Sequence, residues 1–182
     1  MDEPAATPSQ YDRRSITLHW LTAMLVAALW IVGQTIDWFP KGNPRIFARS
    51  LHISFGAALA LLVVYRIWWR LSAGAHVPPP GAGWLDKVAA LTHTLLYLSL
   101  ISVLILGVTN AWVRGDILFN LLTIPAFDPG NKELRETIED WHGLAANFLL
   151  FLAFFHAAAG LLHHFVFKDG VLRRMLSSRS VR

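Results

Sequence analysis

The chain contains no cysteine. Disulfides, thiolate zinc sites, iron–sulfur clusters and covalently attached c-type haem are thereby excluded. Charge is scarce as well: Asp, Glu, Lys and Arg make up 15% of the residues, against about 25% in a soluble globular domain. Hydrophobic residues reach 54% and mean hydropathy is +0.44. This balance argues against a soluble enzyme and against disorder. The net charge of +4 and the pI near 9.9 read, in so apolar a chain, as a membrane-topology signal rather than as nucleic-acid binding. A length of 182 residues allows one domain or at most two. What the chain does have is eight Trp and eight His.

The few charges leave long gaps. Runs free of Asp, Glu, Lys and Arg extend over 15–36, 50–65, 88–113 and 141–167. A membrane-spanning helix needs about 20 apolar residues, so four spans are expected. The second is short unless Arg66 and Arg70 snorkel. The first is too long for a cleaved signal peptide and is read as retained. The expected organisation is an N-terminal tail at 1–14, a four-helix transmembrane domain at 15–167 and a C-terminal tail at 168–182, with spans at about 15–37, 48–70, 88–113 and 139–167. The two tails and the 66–87 connection carry ten Lys and Arg against six in the other two connections. That bias favours both termini in the cytoplasm of a multi-pass inner-membrane protein. Seven of the tryptophans (Trp20, Trp38, Trp68, Trp69, Trp84, Trp112 and Trp141) fall near span ends, as an interfacial belt requires. The 77–83 stretch, VPPPGAG, reads as a stiff connection, and Asp128-Pro129-Gly130-Asn131 as a turn with Asn131 capping a helix from Lys132. His76 reads as a solvated loop residue.

Ionisable residues inside a membrane are costly and call for a function. His19 and His93 fall near the cytoplasmic ends of their spans, and His52 and His142 near the periplasmic ends. His156 follows His142 by 14 residues, about 40° short of four helical turns, so one face offers two imidazoles about 21 Å apart along the axis. His52 shares the depth of His142, and either His19 or His93 reaches that of His156. Paired imidazoles on facing helices suit haem iron. Ala145, Ala146, Ala153, Ala157–Gly160 and Gly56–Ala58 surround these histidines with small residues, which leave room for a flat macrocycle but also serve close helix packing. Non-haem metal or proton transport is the competing reading. Such sites usually add carboxylates or thioethers, and only Met24 lies inside a run.

The segments YDRRSITLHW (11–20), LHISFG (51–56), LTHTLLY (91–97), DWHGLAAN (140–147) and HAAAGLLHHFVFKDGVLRRM (156–175) run through all four spans. In this order the chain resembles the bacterial di-haem cytochrome b561 family, including its superoxide:ubiquinone oxidoreductase members. A similar helix arrangement occurs in the cytochrome b subunits of formate dehydrogenases and nickel–iron hydrogenases. The resemblance implies an all-α four-helix bundle holding two haems b. His19 and His156 would hold the cytoplasmic-side haem, and His52 and His142 the periplasmic-side haem. His93 would then face a propionate or a quinone.

The implied activity moves single electrons from superoxide outside to ubiquinone inside. His163, seven residues after His156, would hydrogen-bond the quinone, while His164 points about 100° away. Arg13, Arg14, Arg45, Arg49, Arg66 and Arg70 are candidate propionate partners; Arg49, three residues before His52, is the best placed. Lys41, Arg45 and Arg49 would draw in an anion, whereas the acidic 114–140 connection would repel one. An electron-transfer subunit serving a separate dehydrogenase or soluble cytochrome is the alternative. The expected partners are the bilayer, a quinone and either superoxide or a redox protein.

Overall fold

The computed structural model describes residues 10–75, 77–78 and 83–176. His76 and residues 79–82 of the proline-rich connection lie outside the described residues. Four long helices dominate: α1 (Arg13–Thr35), α2 (Asn43–Ser72), α3 (Trp84–Arg114) and α4 (Lys132–Leu162). All four are long and apolar enough to cross a membrane, and they form a helical bundle. Their large side chains point outward as often as inward: Leu61 is 73% exposed, Val108 67% and Phe154 67%. In water such surfaces would aggregate, whereas in lipid an apolar exterior is required.

Each helix starts and stops for a local reason. Asp12 caps α1 by accepting the Ser15 amide at 2.9 Å and the Ser15 hydroxyl at 2.6 Å. The same carboxylate accepts the Trp69 indole N–H at 3.2 Å and the Ala75 amide at 3.1 Å, which ties the start of α1 to the end of α2. Pro44 sits in the first turn of α2, where its missing N–H costs nothing. α3 stops at Gly115, φ +67°, and a Cβ there would lie 2.7 Å from the Ala126 Cβ, so only glycine serves. Asn131 caps α4 by accepting the Leu134 amide at 2.9 Å. Beyond Leu162 the helix widens into a π-helical turn, His163–Phe167.

The α3–α4 connection holds a feature that charge and hydropathy patterns did not suggest. A short antiparallel hairpin pairs β1 (Ile117–Leu118) with β2 (Leu122–Thr123). Phe119 and Asn120 both take positive φ at its turn, as a type I′-like hairpin demands. Fully buried Ser50 of α2 anchors it: its hydroxyl donates to the Ile46 carbonyl at 2.7 Å and accepts the Phe119 amide at 2.8 Å.

The bundle therefore has two distinct ends. At the terminal end, the Trp20 indole donates to the Met175 carbonyl at 2.8 Å and Arg174 donates to the Pro78 carbonyl at 3.0 Å. The start of α1, the α2–α3 connection and the C-terminal segment thus share one side. The hairpin end carries the other two connections. Between the ends lies a core of Leu59, Val63, Leu100 and Leu149, with Leu25, Val26, Leu29, Leu96, Val103 and Leu104 packed against it.

Candidate functional site

Two groups of histidines flank that core. At the hairpin end, His52 of α2 faces His142 of α4 with ring centres 6.2 Å apart and planes at 87°. At the terminal end, His19 of α1 faces His156 of α4 at 6.3 Å and 69°. His93 of α3 also reaches His156, at 5.3 Å and 66°. Leu149 stands seven residues from both His142 and His156, so the leucine core forms an apolar septum between the two groups.

The ring separations carry chemical information. A metal–imidazole bond of about 2 Å and a further distance of about 1.1 Å to the ring centre, taken on both sides of one metal, sum to about 6.2 Å. Both the His52–His142 and the His19–His156 separations equal that span, while His93–His156 is about 1 Å short of it.

The hairpin-end pair is shaped by two glycines that the motif reading did not single out. A Cβ on Gly33 of α1 would lie 3.2 Å from His52 Cε1, and one on Gly107 of α3 would lie 3.1 Å from His142 Cε1. His52 faces the backbone of Leu29 and His142 that of Val103, yet neither Nδ1 makes a hydrogen bond of ordinary geometry. Buried Asn110 Oδ1, one turn beyond Gly107, also lacks a partner. Unpartnered buried polar atoms are rare in a finished structure.

Charged residues ring the hairpin end in pairs. Arg45 lies 3.2 Å from Asp37. Arg49, the expected propionate partner, lies 3.5 Å from Asp116, which is 3.7 Å from Arg114; Arg114 also bonds Glu139. Burial pushes the Asp116 carboxyl up from its ordinary value, against the pull of Arg114 and Arg49. Acids and bases on this face therefore largely neutralise one another.

At the terminal end, Arg66 of α2 donates from Nη2 to His19 Nδ1 at 3.2 Å and stands over the Tyr97 ring at 5.4 Å. His163 Nδ1 bonds the Asp169 carboxylate. Burial opposes ionisation of Asp169, but bonds from His163 and the Val171 amide outweigh it and hold its pKa down. His164, at the same turn, keeps a buried Nδ1 without a partner. Among the described residues, no group of three or more His, Cys, Asp and Glu is arranged to hold a metal ion.

Residues 10–178 match the prokaryotic cytochrome b561 family, and the chain belongs to it. It is 33% identical over 175 residues to cytochrome b561 homolog 1 of Escherichia coli (strain K12), covering 94% of this chain and 99% of the relative. It is 36% identical over 174 residues to a cytochrome b562 of Cereibacter sphaeroides, covering 93% and 96%. It is 30% identical over 173 residues to the protein named "Probable superoxide oxidase CybB" in Yersinia pestis, covering 93% and 97%. The chain is thus a multi-pass membrane electron-transfer protein of a family that binds haem b. The residues present fit that group: the imidazole pairs have the right separation, and Gly33 and Gly107 leave room for the rings of one pair.

Proposed function

We propose that the protein carries single electrons between the two membrane faces, from superoxide at a periplasmic hairpin end to ubiquinone at a cytoplasmic terminal end. The observation that carries the reading is the pair of imidazole couples, each separated by the span of one bis-imidazole metal, at two depths on one helix. His52 and His142 would hold one haem b, and His19 and His156 the other. Bound there, the two haems would supply one-electron carriers on either side of the leucine septum.

The chain's own residues divide the remaining work. Leu59, Leu100 and Leu149 keep water and protons out of the bilayer centre, so only electrons cross. At the terminal end Asp169 holds His163 Nδ1–H. With Nδ1–H so held, Nε2 is the atom that takes up a cytoplasmic proton, and the resulting Nε2–H hydrogen-bonds a quinone carbonyl and delivers that proton to it. Superoxide is drawn to Lys41 and to the partly neutralised Arg45 and Arg49. Two superoxide anions, one ubiquinone and two cytoplasmic protons yield two dioxygen molecules and one ubiquinol. The positive-inside bias of the tails and of the 66–87 connection supports this orientation. The relative named as a probable superoxide oxidase supports the choice of donor.

The test mixes the purified oxidised protein with a superoxide source and a short-chain ubiquinone under anaerobic conditions. The expected result is ubiquinol formation at two superoxide consumed per ubiquinol, abolished by superoxide dismutase. Haem reduction that requires an added redox protein and ignores superoxide would replace the enzyme by an electron-transfer subunit.

A further inference from the structure

Arg66 poses a problem that the histidine pairs alone do not solve. It sits on α2 six residues before the end of the helix, about 9 Å in along the axis. Its side chain is half-buried. Among the described residues no carboxylate lies within ion-pair distance of it. Asp12, at the same end of the bundle, already accepts from Ser15, Trp69 and Ala75. Arg66 instead donates to His19 Nδ1.

That bond cannot survive coordination. An imidazole that ligates a metal through Nε2 keeps its proton on Nδ1 and becomes a donor there. Two donors do not bond, so a loaded His19 releases Arg66 as a half-buried cation in need of an acceptor. The guanidinium borders a cavity of about 30 Å³ that Tyr11, Ser15, Arg70 and Tyr97 also line. This is room for about one small polar group. A planar fork of donors matches a carboxylate.

We infer that Arg66, assisted by Arg70 and Tyr97, receives a propionate carboxylate of the terminal-end haem and raises that haem's potential. The inference rests on the di-haem reading above, and a haem count on the unaltered protein tests that reading separately. A unit charge about 10 Å away at an effective dielectric of about 20 shifts a one-electron equilibrium roughly tenfold, which is about 59 mV. Redox titration of Arg66→Gln should show one haem of two displaced by that amount toward the oxidised form, with both haems retained. Arg66→Lys should restore most of the loss, because it keeps the charge.

Esterifying the propionates removes the ion pair but leaves the Arg66 charge, so Arg66→Gln should speed dissociation of the terminal-end haem when the haem is native and have no such effect on haem b dimethyl ester. Unchanged potentials in Arg66→Gln would overturn the inference. Equal acceleration of haem loss by Arg66→Gln with native haem and with the ester would do so too.

Discussion

Gly107 has no side chain where the edge of the His142 ring passes, and replacing it with alanine puts a methyl group 3.1 Å from Cε1 and 3.5 Å from Nδ1. Ordinary contacts begin near 3.4 Å, so the ring must retreat by a few tenths of an ångström or twist from its rotamer. Overpacking of this kind costs about 1–3 kcal/mol. If His142 holds iron, the ring cannot retreat freely, and the strain appears as lost haem affinity at the hairpin end. That corresponds to a loss between about five-fold and about 150-fold. The terminal-end pair lies about 21 Å away along α4 and should keep its affinity. Haem transfer to excess apomyoglobin, followed as two kinetic phases, separates the sites. One phase should accelerate in Gly107→Ala and the other should not. Equal acceleration of both phases, or of neither, would refute the assignment of Gly107 as the space-maker for a ligand ring.

Two further predictions concern the terminal end. Burial alone would raise the Asp12 carboxyl, but bonds from Ser15, Ala75 and Trp69 outweigh it and hold its pKa below the ordinary 3.8. A depressed pKa adds stability above the unfolded value and loses it as pH falls through the folded value. Acidification below pH 3.8 should therefore release the α1–α2 clamp, read as a change in Trp69 fluorescence that Asp12→Ala shows already at neutral pH. The second concerns the proton route. His163→Ala should leave both haems in place and slow ubiquinol formation by about 10²–10⁴-fold, as loss of a positioned proton donor does. Asp169→Asn should fall between that variant and the unaltered protein. Unchanged quinone kinetics in His163→Ala would remove His163 from the site.

The four-helix bundle was legible because lipid imposes a single requirement, an apolar run of sufficient length, and charge-free runs report it directly. Helix ends were less so. α2 begins at Asn43 and carries Arg45 and Arg49 within it, because this charged turn projects beyond the hydrocarbon and is held by ion pairs, whereas the start of α4 at Lys132 follows the cap that Asn131 supplies. The β1–β2 hairpin escaped notice because Phe119-Asn120 stands where Asn-Gly would signal such a turn; burial of Ser50 against the Phe119 amide supplies what the local sequence does not.

At the histidines, helical arithmetic gave depth and azimuth along α4, but not which neighbour packs opposite. His19 and His93 shared one depth, and only tertiary packing distinguishes a 6.3 Å approach to His156 from a 5.3 Å one. The roles of Gly33 and Gly107 likewise depend on which ring each one meets. Beyond Leu162 the π-helical turn breaks the 100° step, so the Asp169 partner of His163 could not be projected from the helix.

A haem count by pyridine haemochrome on the detergent-purified protein and three variants tests the histidine pairing most directly. The unaltered chain should hold two haems b, His142→Ala one and His19→Ala one, while His93→Ala keeps both. Two haems retained in His142→Ala, or a haem lost from His93→Ala but not from His19→Ala, would contradict the pairing at its centre.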